Sequence, residues 1–198
     1  MKIENQKKVW DKISEKWAIY REKPLEEVVK FLKNKKGKVL DLGCGSGRHF
    51  IKSDFLDFYA TDFSEKMLEL AEKKAKIKLT LKKISNEKIP FKKNFFDYVI
   101  CISVLHCIQK KERRIFLLKE IRRVLKKEGE LLISVWSKNH KKIRNKKKEI
   151  LIPWKINGKS YNRYYYIYDI NELKEELKSV GFSILSEKED KNIWIIAK

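Results

Sequence analysis

The residues able to do chemistry first gather between Val39 and Phe50. Val39-Leu40-Asp41-Leu42 is an apolar run with one acid, after which Gly43, Gly45 and Gly47 alternate with Cys44 and Ser46. Glycine lets a backbone turn sharply and approach a ligand that a Cβ would hold away. The spacing predicts a strand ending at Leu42, a ligand-facing loop, and a helix just after it whose free N–H groups favour a polar or anionic group. Asp62, nineteen positions beyond Gly43, closes Tyr59-Ala60-Thr61-Asp62, where a doubly wound sheet brings a carboxylate to a ribose hydroxyl. Arg48 stands where the third glycine of a dinucleotide-binding Gly-x-Gly-x-x-Gly would be, so that motif is not met. A glycine-rich turn without a ligand is the alternative; the strand before the loop and the acid in register favour a nucleoside cofactor.

The elements that position this loop follow from periodicity. Residues 4–20 read as a helix with Val9, Ile13, Trp17 and Tyr20 on one side, and Pro24 is placed to open a second helix carrying Leu25, Val28, Val29 and Leu32. Strands are expected at 38–42, 58–61, 79–81, 98–103 and 130–136, the fourth apolar on both faces as a central parallel strand is. Ser64 is a plausible N-cap for the helix through Met67, Leu68 and Ala71. Residues 111–127 form a basic amphipathic helix that Gly129 should end. Asp169 with Glu172 reads as a capping box for a last helix closed by Gly181, before strands at 182–186 and 193–197. Between 137 and 156 seven of the eleven residues from Lys138 to Lys148 are basic, and Pro153-Trp154 should interrupt any regular element. The expected architecture is α/β: one domain over 1–198, a parallel sheet flanked by helices with a C-terminal antiparallel hairpin, and a basic insertion at about 137–166.

Composition narrows the classes. A chain of 198 residues that is 42% hydrophobic can bury a sizeable core. No apolar run approaches the ~18 residues of a membrane span. The N-terminus opens no signal peptide, and three cysteines, Cys44, Cys101 and Cys107, lie in or beside apolar strands without metal-ligand spacing. These features point to a reducing, cytoplasmic setting and to no metal site. The net charge of +21, almost all from lysine, permits an RNA partner; the wealth of lysine, isoleucine and asparagine also fits an A/T-rich genome.

With Asp41 in front, the glycine loop resembles the Asp-x-Gly-x-Gly-x-Gly loop of class I S-adenosylmethionine-dependent methyltransferases, whose strand order the reading above shares. Further segments resemble one family within that class, the tRNA wobble-uridine methyltransferases: Trp17 to Pro24, Val104-Leu105-His106, Leu132 to Trp136, Ile152-Pro153-Trp154, Arg163-Tyr164-Tyr165 and Glu189 to Ala197. The family esterifies the carboxylate of 5-carboxymethyluridine in the anticodon, and the resemblance spans essentially the whole chain. It implies a Rossmann-like fold and S-adenosyl-L-methionine bound by Asp41, Gly43, Cys44, Gly45, Gly47, Asp62, Phe63, Ser85, Ile102 and Ser103. It also implies a heterodimer with a small zinc-binding methyltransferase activator protein, and the tRNA anticodon loop as substrate. The chain departs from the pattern at Cys107, where a second histidine is frequent, at Phe63, where a basic residue follows the acid, and at Ser85-Asn86, where an aspartate near the adenine is common.

A carboxylate is already ionised near neutral pH, so its methylation needs no general base. It needs donors that hold one oxygen in line, and arginine's planar fork suits that best. The resemblance puts Arg21, Arg163 and His106 in this catalytic role. Lys23, Trp136, Lys141, Lys142, Arg144, Tyr164 and Tyr165 are the expected RNA contacts, the tyrosines either stacking on a base or divided between core and surface. Two other readings stay open on sequence: methylation of a small carboxylic acid or amine, and a scaffold that binds the cofactor without turnover.

Overall fold

Five strands carry the apolar runs of the N-terminal two-thirds: β1 (Gly37–Leu42), β2 (Leu56–Asp62), β3 (Leu79–Lys83), β4 (Phe96–Ile102) and β5 (Leu125–Trp136). A hairpin follows, β6 (Glu149–Ile156) and β7 (Lys159–Tyr166), and then β8 (Ile184–Glu189) and β9 (Asn192–Ala197). The computed structural model describes residues 3–140, 143 and 147–198. One sheet runs β3-β2-β1-β4-β5-β9-β8, parallel through β5 and antiparallel at β9 and β8, while β6 and β7 pair apart from it. Helices α1 (Gln6–Ile19), α2 (Glu26–Leu32), α3 (Glu65–Lys74), α4 (Lys111–Val124) and α5 (Ile170–Ser179) complete the elements.

The order reverses between β1 and β4, which opens a crevice beyond their carboxyl ends, the usual ligand position in open α/β sheets. Val39, Leu40, Val99, Ile100, Leu131 and Ile133 are fully buried at the sheet's centre. Each contributes roughly 1.5–3 kcal/mol relative to exposure, which fixes the register and so the strand ends.

Five local expectations are corrected. No helix follows the glycine loop: residues 43–49 form turns, with Gly47 N–H donating to the Cys44 carbonyl at 3.0 Å. Few residues separate Gly47 from β2, and Ser53 Oγ takes the Phe55 N–H at 3.1 Å, a local bond that competes with helix. Leu25, not Pro24, is the N-cap of α2. Gly129 lies inside β5, because the chain passes from α4 into the strand at Leu125 without a break; a Cβ there would sit 3.1 Å from the Asp97 carbonyl. Pro153 and Trp154 are accommodated in β6, an edge strand where a missing N–H costs little. Asp169 does cap α5, accepting from the Asn171 N–H at 3.0 Å, but Glu172 is turned to the Tyr166 hydroxyl and to Lys148 instead of closing a capping box.

Candidate active site

The loop after β1 is tied down by its neighbours. Gly43 and Cys44 N–H groups both donate to the Thr61 carbonyl of β2, at 2.7 and 2.9 Å. Gly45 and Gly47 have φ of 54° and 78°, conformations that favour glycine. A Cβ on Gly47 would collide with the Phe50 ring at 2.4 Å, whereas one on Gly45 would meet nothing within 4 Å. Gly47 is therefore needed for packing, and Gly45 borders open space.

Asp62 closes the cradle. Its Oδ2 accepts from the Gly45 N–H and its Oδ1 from the Ser64 N–H, both at 2.9 Å. Burial raises its pKa to about 6 in spite of these bonds. Asp41 is buried beneath the loop with an Oδ2 that has no hydrogen-bond partner, 3.6 Å from His49 Nδ1. Burial, with Asp62 and Asp41 nearby, pushes the Cys44 thiol well up, so this residue offers backbone alone. Phe63 is 36% exposed beside Asp62, Ile102 is buried, and Ser103 (φ 61°) turns the chain out of β4 while its N–H bonds the Ser134 carbonyl at 2.9 Å. Ser85 is exposed in a turn closed by the Lys88 N–H at 3.1 Å. Open space at Gly45, spare lone pairs on Asp62 and apolar walls from Phe63 and Ile102 together fit a nucleoside with a free ribose edge.

A second group of residues assembles from distant elements. Strand alternation in β7 sends Arg163 and Tyr165 to one face and Tyr164 and Tyr166 to the other. Arg163 is 5% exposed and donates Nη1 to the Tyr165 hydroxyl at 2.8 Å. Its guanidinium carbon lies 5.0 Å from the Trp154 ring centroid, 5.4 Å from Trp17 and 5.9 Å from Trp10. Nε has no partner, and among the described residues no carboxylate forms an ion pair with this arginine. Arg163 is a buried cation in an aromatic cage.

His106 faces it from the single turn of 3-10 helix after β4, Leu105–Cys107. The Trp136 N–H donates to His106 Nδ1 at 2.8 Å, which places the ring proton on Nε2, an atom that is buried without a partner. Burial, and then the charge of Arg163, lowers the His106 pKa to about 3, so the ring is neutral. Trp136 stacks between Tyr165 and His140, both at 4.7 Å. Arg21 lies with its guanidinium 4.5 Å from the Trp17 ring and donates to the Tyr20 carbonyl at 3.0 Å. Burial, with Arg163 adding its charge, holds the Arg21 pKa below its usual value.

The RNA contacts expected from sequence divide. Tyr164 is wholly buried in the main core and Tyr165 is 2% exposed with its ring covered by Trp136, so neither presents a face to a base. Lys23 has an exposed side chain, and its carbonyl is gripped by Arg48 Nε and Nη2 at 3.0 and 2.7 Å. Lys141, Lys142 and Arg144 lie outside the described residues. Sequence reasoning gave no role to Trp10, Trp154 or Arg48. Trp17, Trp154 and Arg163 do lie in segments that carry the family resemblance, but nothing in the sequence shows that they meet, and Trp10 lies outside those segments.

Comparison with known proteins agrees with this geometry. A family model described as a methyltransferase domain matches residues 40–133. The tRNA (carboxymethyluridine(34)-5-O)-methyltransferase of Schizosaccharomyces pombe is 28% identical over 96% of this chain and 94% of its own length. The probable tRNA methyltransferase 9B of Mus musculus is 33% identical over 64% of this chain, but that is only 28% of the mouse protein. Among solved structures, the PH0226 protein of Pyrococcus horikoshii superposes with a TM-score of 0.74 at 22% identity, over 87% of this chain and 88% of its own. A putative methyltransferase complexed with the Haloferax volcanii Trm112 activator gives 0.74 at 13% identity, over 99% and 98%. Fold, glycine loop and acidic strand end thus define a class I methyltransferase dependent on S-adenosylmethionine. Within that class the chain is similar in sequence to proteins named as tRNA (carboxymethyluridine(34)-5-O)-methyltransferases, the Saccharomyces cerevisiae one being 26% identical over 74% of this chain.

Proposed function

We propose that this enzyme esterifies the carboxylate of 5-carboxymethyluridine at the wobble position of tRNA. One observation supports it above others: the Arg163 guanidinium and the His106 Nε2–H are both buried donors lacking an acidic partner. Such groups are costly in a free protein and are satisfied by an incoming anion. When bound, S-adenosylmethionine supplies a methyl group whose bond to a cationic sulfur breaks as a carboxylate oxygen takes it up, leaving a neutral thioether.

The chain's own residues orient and enclose. The glycine loop and Asp62 would hold the nucleoside half of the cofactor, with Phe63, Ile102 and Ser103 walling it and Ser85 at the rim. Arg163 would grip the substrate carboxylate, His106 would donate Nε2–H to it or to the uracil, and the Trp136–Tyr165 stack keeps both in place. Arg21 adds a second positive charge at the mouth. No proton need be removed, which is consistent with a histidine held neutral and far from any role as a base.

Lys23 and the basic segment with Lys141, Lys142 and Arg144 would take up anticodon phosphates, so that the β6–β7 hairpin and the basic segment serve as a substrate wall of a single catalytic domain. Among the described residues no helix is long and apolar enough to cross a membrane, and the work is assigned to the cytoplasm. The activator subunit would cover apolar side chains that the free chain exposes, such as Phe55 at 62% and Phe116 at 44%; the Haloferax neighbour was solved with such an activator.

The test is transfer of labelled methyl from S-adenosylmethionine to tRNA bearing carboxymethylated wobble uridine, with and without a small zinc-binding activator protein. Label recovered as the wobble-nucleoside ester is the expected result. Label that appears only in added small carboxylic acids, or cofactor binding with no transfer, would overturn it.

A further inference from the structure

Two exposed apolar side chains at the mouth of the site, one of them aromatic, have no part in the reading above. Tyr20, the C-cap of α1, is 66% exposed, and Ile19 before it is 59% exposed. Neither adds to the core. Among the described residues Tyr20 has one ring neighbour, Trp154 of β6, crossed at 68° with centroids 6.0 Å apart. Trp154 in turn leans on Trp17 at 5.4 Å, and the Arg163 guanidinium lies 5.0 Å from its ring. The exposed tyrosine is therefore one ring beyond the cation that would hold the reacting carboxylate.

Cations outnumber the single acid, Glu22, in and against the Tyr20–Lys23 segment. Arg21 follows directly and bonds the Tyr20 carbonyl; Lys74 Nζ reaches the Arg21 carbonyl at 3.3 Å, and Arg48 fixes the Lys23 carbonyl. These bonds hold the Tyr20–Lys23 segment in place after the helix ends. An exposed aromatic ring on a rigid, cationic segment is what recognition of unstacked RNA requires, since every base has a face to stack and every step a phosphate. A protein-binding patch differs, its centre being depleted of charge.

We propose that Tyr20, backed by Trp154, is a stacking platform for the nucleotide adjacent to the modified uridine, with Lys23 and Lys74 at its phosphate. The platform rests on the tRNA reading of the same site and names a subsite within it. It also replaces the stacking role that burial denies to Tyr164 and Tyr165.

The experiment uses an anticodon stem-loop bearing 5-carboxymethyluridine, with 2-aminopurine placed on one side of it or the other. Binding to the wild-type protein should quench one probe. Tyr20→Ala should abolish that quench and raise KM for the stem-loop roughly tenfold, with kcat within about twofold. Tyr20→Phe should behave as wild type, and methylation of the free nucleoside should be unchanged in both variants. Wild-type quenching and KM in Tyr20→Ala would overturn the platform, as would a loss shared equally by Tyr20→Phe, or weaker binding of the activator protein with RNA affinity intact. If the wild-type protein binds the stem-loop without methylating it, the functional reading falls, and the quench alone still decides the platform.

Discussion

Replacing Arg163 by methionine should separate stability from activity. In the free protein Arg163 is 5% exposed and forms no ion pair among the described residues, a burial that costs several kcal/mol. Offsetting it are one hydrogen bond to the Tyr165 hydroxyl at 2.8 Å, about 1.5–3 kcal/mol for a charged donor. Four rings, at 5.0 Å for Trp154, 5.4 Å for Trp17 and Tyr165 and 5.9 Å for Trp10, each add ~0.5–1 kcal/mol. The two sides nearly cancel. Methionine fills much of the same volume and keeps favourable sulfur–ring contacts. Arg163→Met should therefore change unfolding stability by no more than about 1 kcal/mol in either direction, a shift of roughly 2–4 °C in Tm.

Activity should respond very differently. Among the described residues this arginine is the buried fork-shaped donor at the proposed carboxylate position, and loss of such a preorganised donor lowers turnover about a hundred- to a thousandfold. Urea denaturation and methyl transfer measured on the same preparations give both quantities. Arg163→Lys, which keeps charge but loses the fork, should fall between. The reasoning is refuted if Arg163→Met loses more than about 3 kcal/mol of stability while its folded fraction turns over at the wild-type rate, because the arginine would then be a structural cation.

Three further outcomes follow from the site. His106→Asn keeps an acceptor for the Trp136 N–H but removes the buried Nε2–H, so transfer should drop about tenfold or more with the fold intact. The unfolded chain binds a proton at His106 near pH 6.5 and the folded one only near 3, so wild-type stability should fall as pH drops through that window, and the variant should lose part of this fall in acid denaturation curves. Ionised Asp62 is the form that would accept the ribose hydroxyls of the cofactor. With its pKa raised to about 6, cofactor affinity measured by calorimetry should weaken below that pH, and Asp62→Asn should bind weakly at every pH. The same raised pKa means Asp62's own contribution to apo stability is present below about 3.8 and lost as pH rises through 6. Gly45→Ala strains a backbone at φ 54° but meets no neighbour, whereas Gly47→Ala would drive a methyl into Phe50. Thermal scans should show the first variant losing ~1 kcal/mol with cofactor binding more affected than the fold, and the second losing markedly more stability.

The proposed cofactor half of this site could be read as a pattern in the sequence because most of it is contiguous. Strand, three glycines and an acid in register all lie within Val39–Asp62, and each constraint is local: a turn, a close approach, a strand end. The helix expected after the loop failed for an equally local reason, the short, Ser-interrupted path to β2. The substrate half has no such pattern. Its cage draws Trp10 and Trp17 from α1, Trp154 from β6 and Arg163 from β7, segments that tertiary packing alone brings together. In Arg163-Tyr164-Tyr165-Tyr166 the period of two is plain, but which face meets the core depends on the pairing of Ile150 with Tyr165 and on α1 packing over the hairpin. Arg114 and Arg163 make the difference concrete. Both are buried arginines against tyrosine rings, yet Arg114 faces the carboxylate of Glu176 at 3.7 Å while Arg163 faces none among the described residues. Residue type cannot distinguish them, since whether a donor is left unpaired is a property of its surroundings. The lack of an acidic partner among the described residues adds to the Arg163-Tyr164-Tyr165 resemblance in making Arg163 the candidate to meet a substrate anion.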